Sequence, residues 1–410
     1  MKPRFRSPLW FALPFVLAVA CSSDPTPSGS SAAGAAGSNG GSAGAPSAGA
    51  GYGGAAAAGS SDAGTSSAGA GAAGSNGGEA GSAEPLGDAG ASDPGADIPP
   101  PHPLKITATK ALHSHSFLPH DADPTVSTTT FSGTNKQVAE VDPRAATMMG
   151  KLVVSLGGAG STGAYTGGVA AFAVKRGFHV FAVAYDADFD ILINDPDYYG
   201  DARLEEFDGH DHTSKYAIRD NAPSEKLGLS PADGVEQRVR LGLVYLAKQF
   251  ANEDWSYYLT ADGQVRWSDV IFAGVSHGAS SAVRFAMLVR ASRALAFSGP
   301  RENTCMTVAC NEPDAVIATW FGESPKTPRD RLYAITGVVD TQHTQHLVAF
   351  ERLGLTGQVV DVDSQTAPYA NTRRLQSKSA DHGGFCDLAK YRDACNYMLG
   401  VPPENSAGVP

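Results

Sequence analysis

Five residues constrain this chain more than any others: Gly274-Val275-Ser276-His277-Gly278, set between the apolar run Val270-Ile271-Phe272-Ala273 and a helix-forming run from Ala279 to Leu288. The first run is short and continuously apolar, as a buried strand is, and the second is long enough for a helix. A chain that passes from strand to helix within five residues turns so tightly that only small side chains fit around the turn. The serine hydroxyl is then left standing above the sheet edge. The same G-x-S-x-G spacing recurs at Gly40-Gly41-Ser42-Ala43-Gly44, inside a tract so rich in Gly, Ala and Ser that a match arises by accident. No strand precedes that copy and no helix follows it.

The N-terminus reads as an export signal. Lys2, Arg4 and Arg6 precede an apolar stretch from Leu9 to Ala20 that is short for a bilayer span. Leu17-Ala18-Val19-Ala20-Cys21 resembles a bacterial lipobox, which implies that Cys21 is acylated and becomes the first mature residue. The expected address is therefore extracytoplasmic, with a lipid anchor in a bacterial membrane. Ser22 in place of an aspartate points to the outer membrane or cell surface rather than retention at an inner one.

Residues 22–101 are Gly, Ala and Ser with scattered Pro, Asp and Asn, a composition that buries too little apolar surface to offset the entropy of ordering it. They are expected to form a disordered tether of about 80 residues, with a root-mean-square span of about 50 Å. The division expected is thus a lipoprotein-type signal over 1–21, a linker over 22–101 and a single domain over 102–410, long enough for a substantial core. A formal charge of −11, which becomes more negative once the three leader cations are cleaved, argues against nucleic acid as a partner.

With Cys21 committed to lipid, Cys305, Cys310, Cys386 and Cys395 form an even set in an oxidising compartment. Three pairings are open, and the short-range one, Cys305 with Cys310 and Cys386 with Cys395, requires no long-range assumption. The spacing is not the paired C-x-x-C of a zinc site, and no metal is expected. Asp186, Asp188 and Asp190 begin like a calcium loop but meet Ile191 where glycine is required, so they read as solvated acids; His210-Asp211-His212 has the residue types to hold a metal, but on a polar loop it reads as an exposed cluster.

Strand-like and helix-like segments alternate through the domain. Lys151 to Leu156 and Phe178 to Tyr185 are continuously apolar, as strands covered on both faces are, with a crossover helix expected over Tyr165 to Arg176. Ser230-Pro231-Ala232-Asp233 combines a serine cap, a first-turn proline and an acid three residues after the cap, ahead of Val235, Val239, Leu243, Leu246 and Phe250 at helical spacing. Further strands are expected over 294–297, 332–338 and 358–362, with helices over 342–353 and 388–399. Outer strands are expected over 126–131 and 137–141, and the stretch 186–229 has no clear period and is left to cap or rim the site. Such alternation calls for a parallel sheet of right-handed βαβ units.

A serine hydroxyl needs a base to take its proton and a third group to fix the base's tautomer, all at the carboxyl edge of the strands. Asp340 follows the run 332–338 within two residues. His382 lies in Ser379-Ala380-Asp381-His382-Gly383-Gly384-Phe385, ahead of the last helix. Asp363 competes for the acid, and His343 and His346, on a helix, compete for the base.

Ser276, Asp340 and His382 in that order, each at a strand end, resemble the α/β-hydrolase superfamily over nearly all of residues 150–400. The resemblance implies an α/β-hydrolase fold: a mostly parallel twisted sheet with helices on both faces, here preceded by the tether. It implies a serine hydrolase of esterase type with Ser276, Asp340 and His382 as the catalytic set and no cofactor. The substrate implied is a small or polymeric ester, with the membrane a partner through the anchor alone. An oxyanion hole is expected from the backbone N–H of His277 and of Ala159 or Gly160. In that loop Gly157-Gly158-Ala159-Gly160 stands where the superfamily commonly has His-Gly. Gly158-Ala159-Gly160-Ser161-Thr162-Gly163 also spells a dinucleotide fingerprint, G-x-G-x-x-G, with Asp186 as its acid. An export address and the triad order weigh against that reading. The alternative of another class is a non-catalytic binding protein on a degenerate hydrolase fold.

Overall fold

The computed structural model describes residues 104, 106–129, 132–161, 163–187, 195–216, 227–302 and 317–405. The lipobox, the tether, Cys305, Cys310, Asp188 and Asp190 lie outside the described residues.

In chain order the elements are β1 (His113–Phe117), α1 (Pro119–Ala122), β2 (Gln137–Val141), β3 (Leu152–Leu156), α2 (Val169–Val174), β4 (His179–Ala182) and α3 (Pro196–Asp208). Next come α4 (Val235–Gln249), β5 (Val270–Val275), α5 (His277–Leu288), β6 (Arg293–Phe297), β7 (Leu332–Gly337) and α6 (His343–Arg352). The chain ends with β8 (Val360–Asp361), β9 (Arg374–Ser377) and α7 (Arg392–Leu399). The strands form one sheet in the order β1-β2-β4-β3-β5-β6-β7-β9-β8. β1 and β2 are antiparallel, β2 meets β4 antiparallel, and every pair from β4 to β8 is parallel. This mixed, mostly parallel sheet is the α/β-hydrolase fold.

Continuous apolarity in the central strands has the expected cause, since both faces are covered. Leu152, Val154, Leu156, Val270 and Phe272 point into a core shared with Val239 and Leu243 of α4, Phe285 of α5 and Phe350 of α6. The intervening residues Val153, Ile271 and Ala273 point into a second core, with Phe172 of α2 and Met398 of α7. The period-2 alternation of a strand thus feeds two cores from one apolar run.

Several boundaries differ from the sequence expectation, each for a local reason. The stretch near Val126 is a turn rather than a strand, because Asp123 Oδ1 accepts from Thr125 N at 2.9 Å and from Thr125 Oγ1 at 2.6 Å. The outer strand beside β2 is instead β1, at 113–117. Helix α2 spans 169–174 only, starting after Gly168. Ser230 and Asp233 do bond reciprocally, with Ser230 N donating to Asp233 Oδ2 and Asp233 N to Ser230 O, but they close one isolated turn. α4 begins after Gly234. The strand expected over 358–362 shrinks to the two-residue edge strand β8, and the strand leading toward His382 is β9.

Candidate active site

The turn after β5 is built as the pentapeptide requires. Ser276 sits at φ 57°, ψ −118°, a conformation that L-residues rarely adopt, and α5 starts at the next residue. Both flanking glycines are obligatory. A Cβ on Gly274 would lie 2.0 Å from Gly278 O, and one on Gly278 would lie 2.4 Å from Leu156 O. Ser276 N donates to Phe297 O at 2.9 Å, tying the turn to the end of β6.

Asp340 follows β7 and is 4% exposed. Its Oδ2 accepts from His382 Nδ1 at 2.7 Å, and its Oδ1 accepts from Gln342 N at 2.8 Å. Burial pushes this carboxyl up, but the His382 and Gln342 hydrogen bonds outweigh it and hold the group below the ordinary aspartate range. The rival Asp363 is engaged elsewhere, accepting from Ser377 Oγ, Ser379 N and Ser379 Oγ at the end of β9.

His346, the rival for the base on α6, is wholly buried, with Nδ1 2.8 Å from Thr336 Oγ1 and 3.9 Å from Asp340 Oδ2. Burial lowers it to about 3, so it is neutral at physiological pH. His343, at the start of α6, is half-buried and lies 3.4 Å from Thr336 Oγ1 through Nδ1. Asp340 is therefore flanked by two imidazoles, His382 on the open side and His346 beneath.

The loop carrying His382 is fixed against the serine turn. Gly383 N donates to Ser298 Oγ at 2.7 Å, and Ser298 directly follows β6, the neighbour of β5. A Cβ on Gly383 would stand 3.8 Å from Val275 Cγ2, so the histidine loop abuts the residue before Ser276. A disulfide joins Cys386 to Cys395 of α7, closing the far end of the loop. Asp381 is exposed, and its Oδ1 accepts from His382 N.

On the other side of the turn, Gly158 is the residue of the 157–160 loop that meets Ser276: a Cβ there would lie 3.4 Å from Ser276 Cβ. Gly160 N donates to Ala187 O at 3.4 Å, whereas Ala159 N has no hydrogen-bond acceptor among the described residues. The His277 N–H opens α5, where helix geometry supplies no intrahelical acceptor. The glycine loop does not run directly into a helix as a dinucleotide fingerprint does, because α2 waits until Val169.

Sequence reading missed what lies under the turn. α3, in the stretch without apolar period, brings Arg203 and Glu206 into the interior. Glu206 Oε1 is 2.6 Å from His277 Nε2, and Glu206 Oε2 accepts from Ser281 Oγ at 2.9 Å. Arg203 donates to Ser281 Oγ and, through Nε, to Glu302, whose other oxygen accepts from Trp320 Nε1 at 3.2 Å. Burial raises Glu206 to about 8 despite the opposing pull of Arg203. Nearby, Tyr185 OH donates to Gly157 O at 2.7 Å. His212 pairs with Asp208 at 2.9 Å.

No family model matches the chain, and no curated protein matches it. Among solved structures it is similar to an esterase of the fungus Rhizomucor miehei, at 10% identity over 74% of this chain and 86% of that one, with a TM-score of 0.37. It is similar to esterase B of Lactobacillus rhamnosis at 11% identity, covering 74% and 88%, with a TM-score of 0.38. It is similar as well to a fluorophosphonate-binding serine hydrolase of Staphylococcus aureus at 13% identity, covering 70% and 98%, with a TM-score of 0.37. Likenesses this remote leave activity and substrate to the geometry of the site.

Proposed function

We propose that this chain is a secreted, lipid-anchored serine hydrolase that cleaves carboxylic esters through an acyl-enzyme. The observation that carries the reading is the 2.7 Å bond between His382 Nδ1 and buried Asp340, in a loop packed against the strained Ser276 turn. With Nδ1–H held by the carboxylate, Nε2 is left as the basic nitrogen.

Ser276 Oγ attacks the ester carbonyl while His382 Nε2 takes its proton, and the carbonyl electrons move onto oxygen. The His277 N–H and the N–H of Ala159 or Gly160 receive that oxyanion, each donor contributing about 3 kcal/mol. Ala159 is preferred, since Gly160 N–H is directed to Ala187 O. Collapse expels the alcohol, which leaves with the proton from His382. Water, deprotonated by His382 Nε2, then attacks the acyl carbon, and His382 returns that proton to Ser276 Oγ as the acyl–oxygen bond breaks and the carboxylic acid leaves. Cys21 carries the anchor and residues 22–101 the tether, so the domain works at a membrane surface without crossing it; no described helix is long and apolar enough to do so.

A fluorophosphonate probe tests this reading. Wild-type protein should be labelled at Ser276 and Ser276→Ala should not. A folded wild type that fails to label returns the chain to the non-catalytic binding class. A chain-length panel of chromogenic esters then sets the acyl preference.

A further inference from the structure

A recess lies on the α2 and α7 face of the sheet, with a cavity volume of about 310 Å³. That is the lower end of the range for small-molecule sites, roughly 300–1,000 Å³. Its wall is formed by α2, by the chain just after Cys386, and by the start of α7. The Cys386–Cys395 bond fastens the last two together.

The charge in this recess is one-sided. Among the described lining residues Lys175, Arg176 and Arg392 supply three cations, against the single carboxylate of Asp387. Asp387 Oδ1 already accepts from Gly168 N at 2.9 Å. Arg176 is 6% exposed and is held by its surroundings: its guanidinium carbon stands 3.5 Å over the Phe172 ring, Nε donates to Asn396 Oδ1 at 3.0 Å and Nη1 to Phe172 O at 3.5 Å. Burial, and then the charge of Arg392, lower Arg176 to about 10. Arg176 and Arg392 thus line one recess with charges of the same sign, a setting that favours an anion between them.

We propose that this recess binds a phosphate group, either of a soluble phosphomonoester or of a lipid headgroup. Three cations against one engaged carboxylate leave a surplus that suits a dianion better than a carboxylate product. Two guanidinium forks and an ammonium can approach a tetrahedral oxyanion from different sides. Leu388, 51% exposed at the rim, offers apolar surface to the organic part of the ligand. The site is separate from the serine turn and does not depend on the hydrolase reading.

The test is thermal unfolding of the full-length chain, titrated with inorganic phosphate, glycerol 3-phosphate or dihexanoyl phosphatidic acid below its micelle concentration, each against sodium chloride at matched ionic strength. Binding to the folded state raises the midpoint with ligand concentration. In Lys175→Gln/Arg392→Gln, whose altered side chains are exposed, the same shift should need about tenfold more ligand or greater, the effect of losing charge-assisted hydrogen bonds. Ala389→Glu, at the exposed lining, should act likewise by adding a negative charge. Shifts with phosphate or glycerol 3-phosphate identify a soluble ligand, and a shift with the phosphatidic acid alone identifies a headgroup; both support the proposal. No shift beyond that of chloride, or an equal shift in wild type and both variants, overturns it.

Discussion

Glu206 Oε1 and His277 Nε2 lie 2.6 Å apart beneath the serine turn, so the residue whose N–H opens α5 is also held through its ring by a buried carboxyl. Burial raises that carboxyl from 4.5 to about 8, which means that at neutral pH it keeps its proton and can donate it to the imidazole. The linkage has a definite sign. The folded state holds a proton that the unfolded chain has released, so this group's contribution is full below about 4.5 and is lost as pH rises to about 8. Urea unfolding from pH 7 to 9, above the range in which the buried histidines contribute, should show stability falling with pH. Glu206→Gln should flatten that fall, and an unchanged slope in the variant would count against the assignment. Ester turnover should also decline above about pH 8 as a negative charge develops beside His277, the proposed oxyanion donor, and the variant should lack that limb.

Replacing Asp340 by Asn leaves the side-chain shape but offers His382 Nδ1 an amide in place of a carboxylate. The imidazole then loses the group that fixes its tautomer and stabilises its charged form. In the serine-protease triad this change costs about 10⁴ in kcat, and a loss of that order is expected here, with near-native circular dichroism. His346→Asn removes the inner imidazole, which touches Thr336 rather than the reacting atoms, and should leave most of the turnover. A loss under tenfold in Asp340→Asn would mean that His382 is oriented by something else.

The turn at Ser276 and the strand-end positions of Asp340 and His382 were legible because each has a sequence mark: glycines flanking a serine, an aspartate ending an apolar run, a glycine pair after a histidine. The support beneath them was not. α3 buries Arg203, Glu205 and Glu206 where an ordinary amphipathic helix buries leucines, so it carries no apolar stripe to read. β9 hid for a related reason: in Arg374-Leu375-Gln376-Ser377 only Leu375 is apolar, and Ser377 is buried through polar bonds to Asp363 and Tyr391. Ser298 has no motif at all. Its role comes from β6 ending beside β5, which only the assembled sheet reveals.

The histidine loop hangs from two fixed points, Ser298 Oγ on Gly383 N and the Cys386–Cys395 bond. Opening the disulfide frees a short ring, and its chain-entropy contribution is about 3 kcal/mol. Cys386→Ser/Cys395→Ser should therefore lower the unfolding midpoint while leaving the protein folded at 25 °C. Its turnover should fall further than its stability predicts, because the histidine loop loses a support. Ser298→Ala, which removes one hydrogen bond worth about 1 kcal/mol, should lower turnover by a smaller factor. Full reduction of the wild type with turnover unchanged would show that the loop does not need the bond.

Acid should destabilise the domain through two buried histidines. His179 Nε2 donates to Glu253 O at 2.7 Å and its Nδ1 accepts from Tyr258 OH at 2.8 Å, and burial lowers it to about 4. His346 is lowered to about 3 by the same cause. Both are neutral in the fold, whereas the unfolded chain protonates them near 6.5. Between about 4 and 6.5 the unfolded state therefore binds more protons at these two histidines than the fold retains on Glu206, so stability must rise with pH across that window, and above it the fall set by Glu206 takes over. Asp340, held low by His382 and Gln342, adds to the loss at the acid end as it protonates. Urea unfolding at pH 4 to 7 should show this rise, and His346→Asn should make it shallower. A variant with the wild-type slope would place the acid sensitivity outside the site, on His179 and the surface carboxylates.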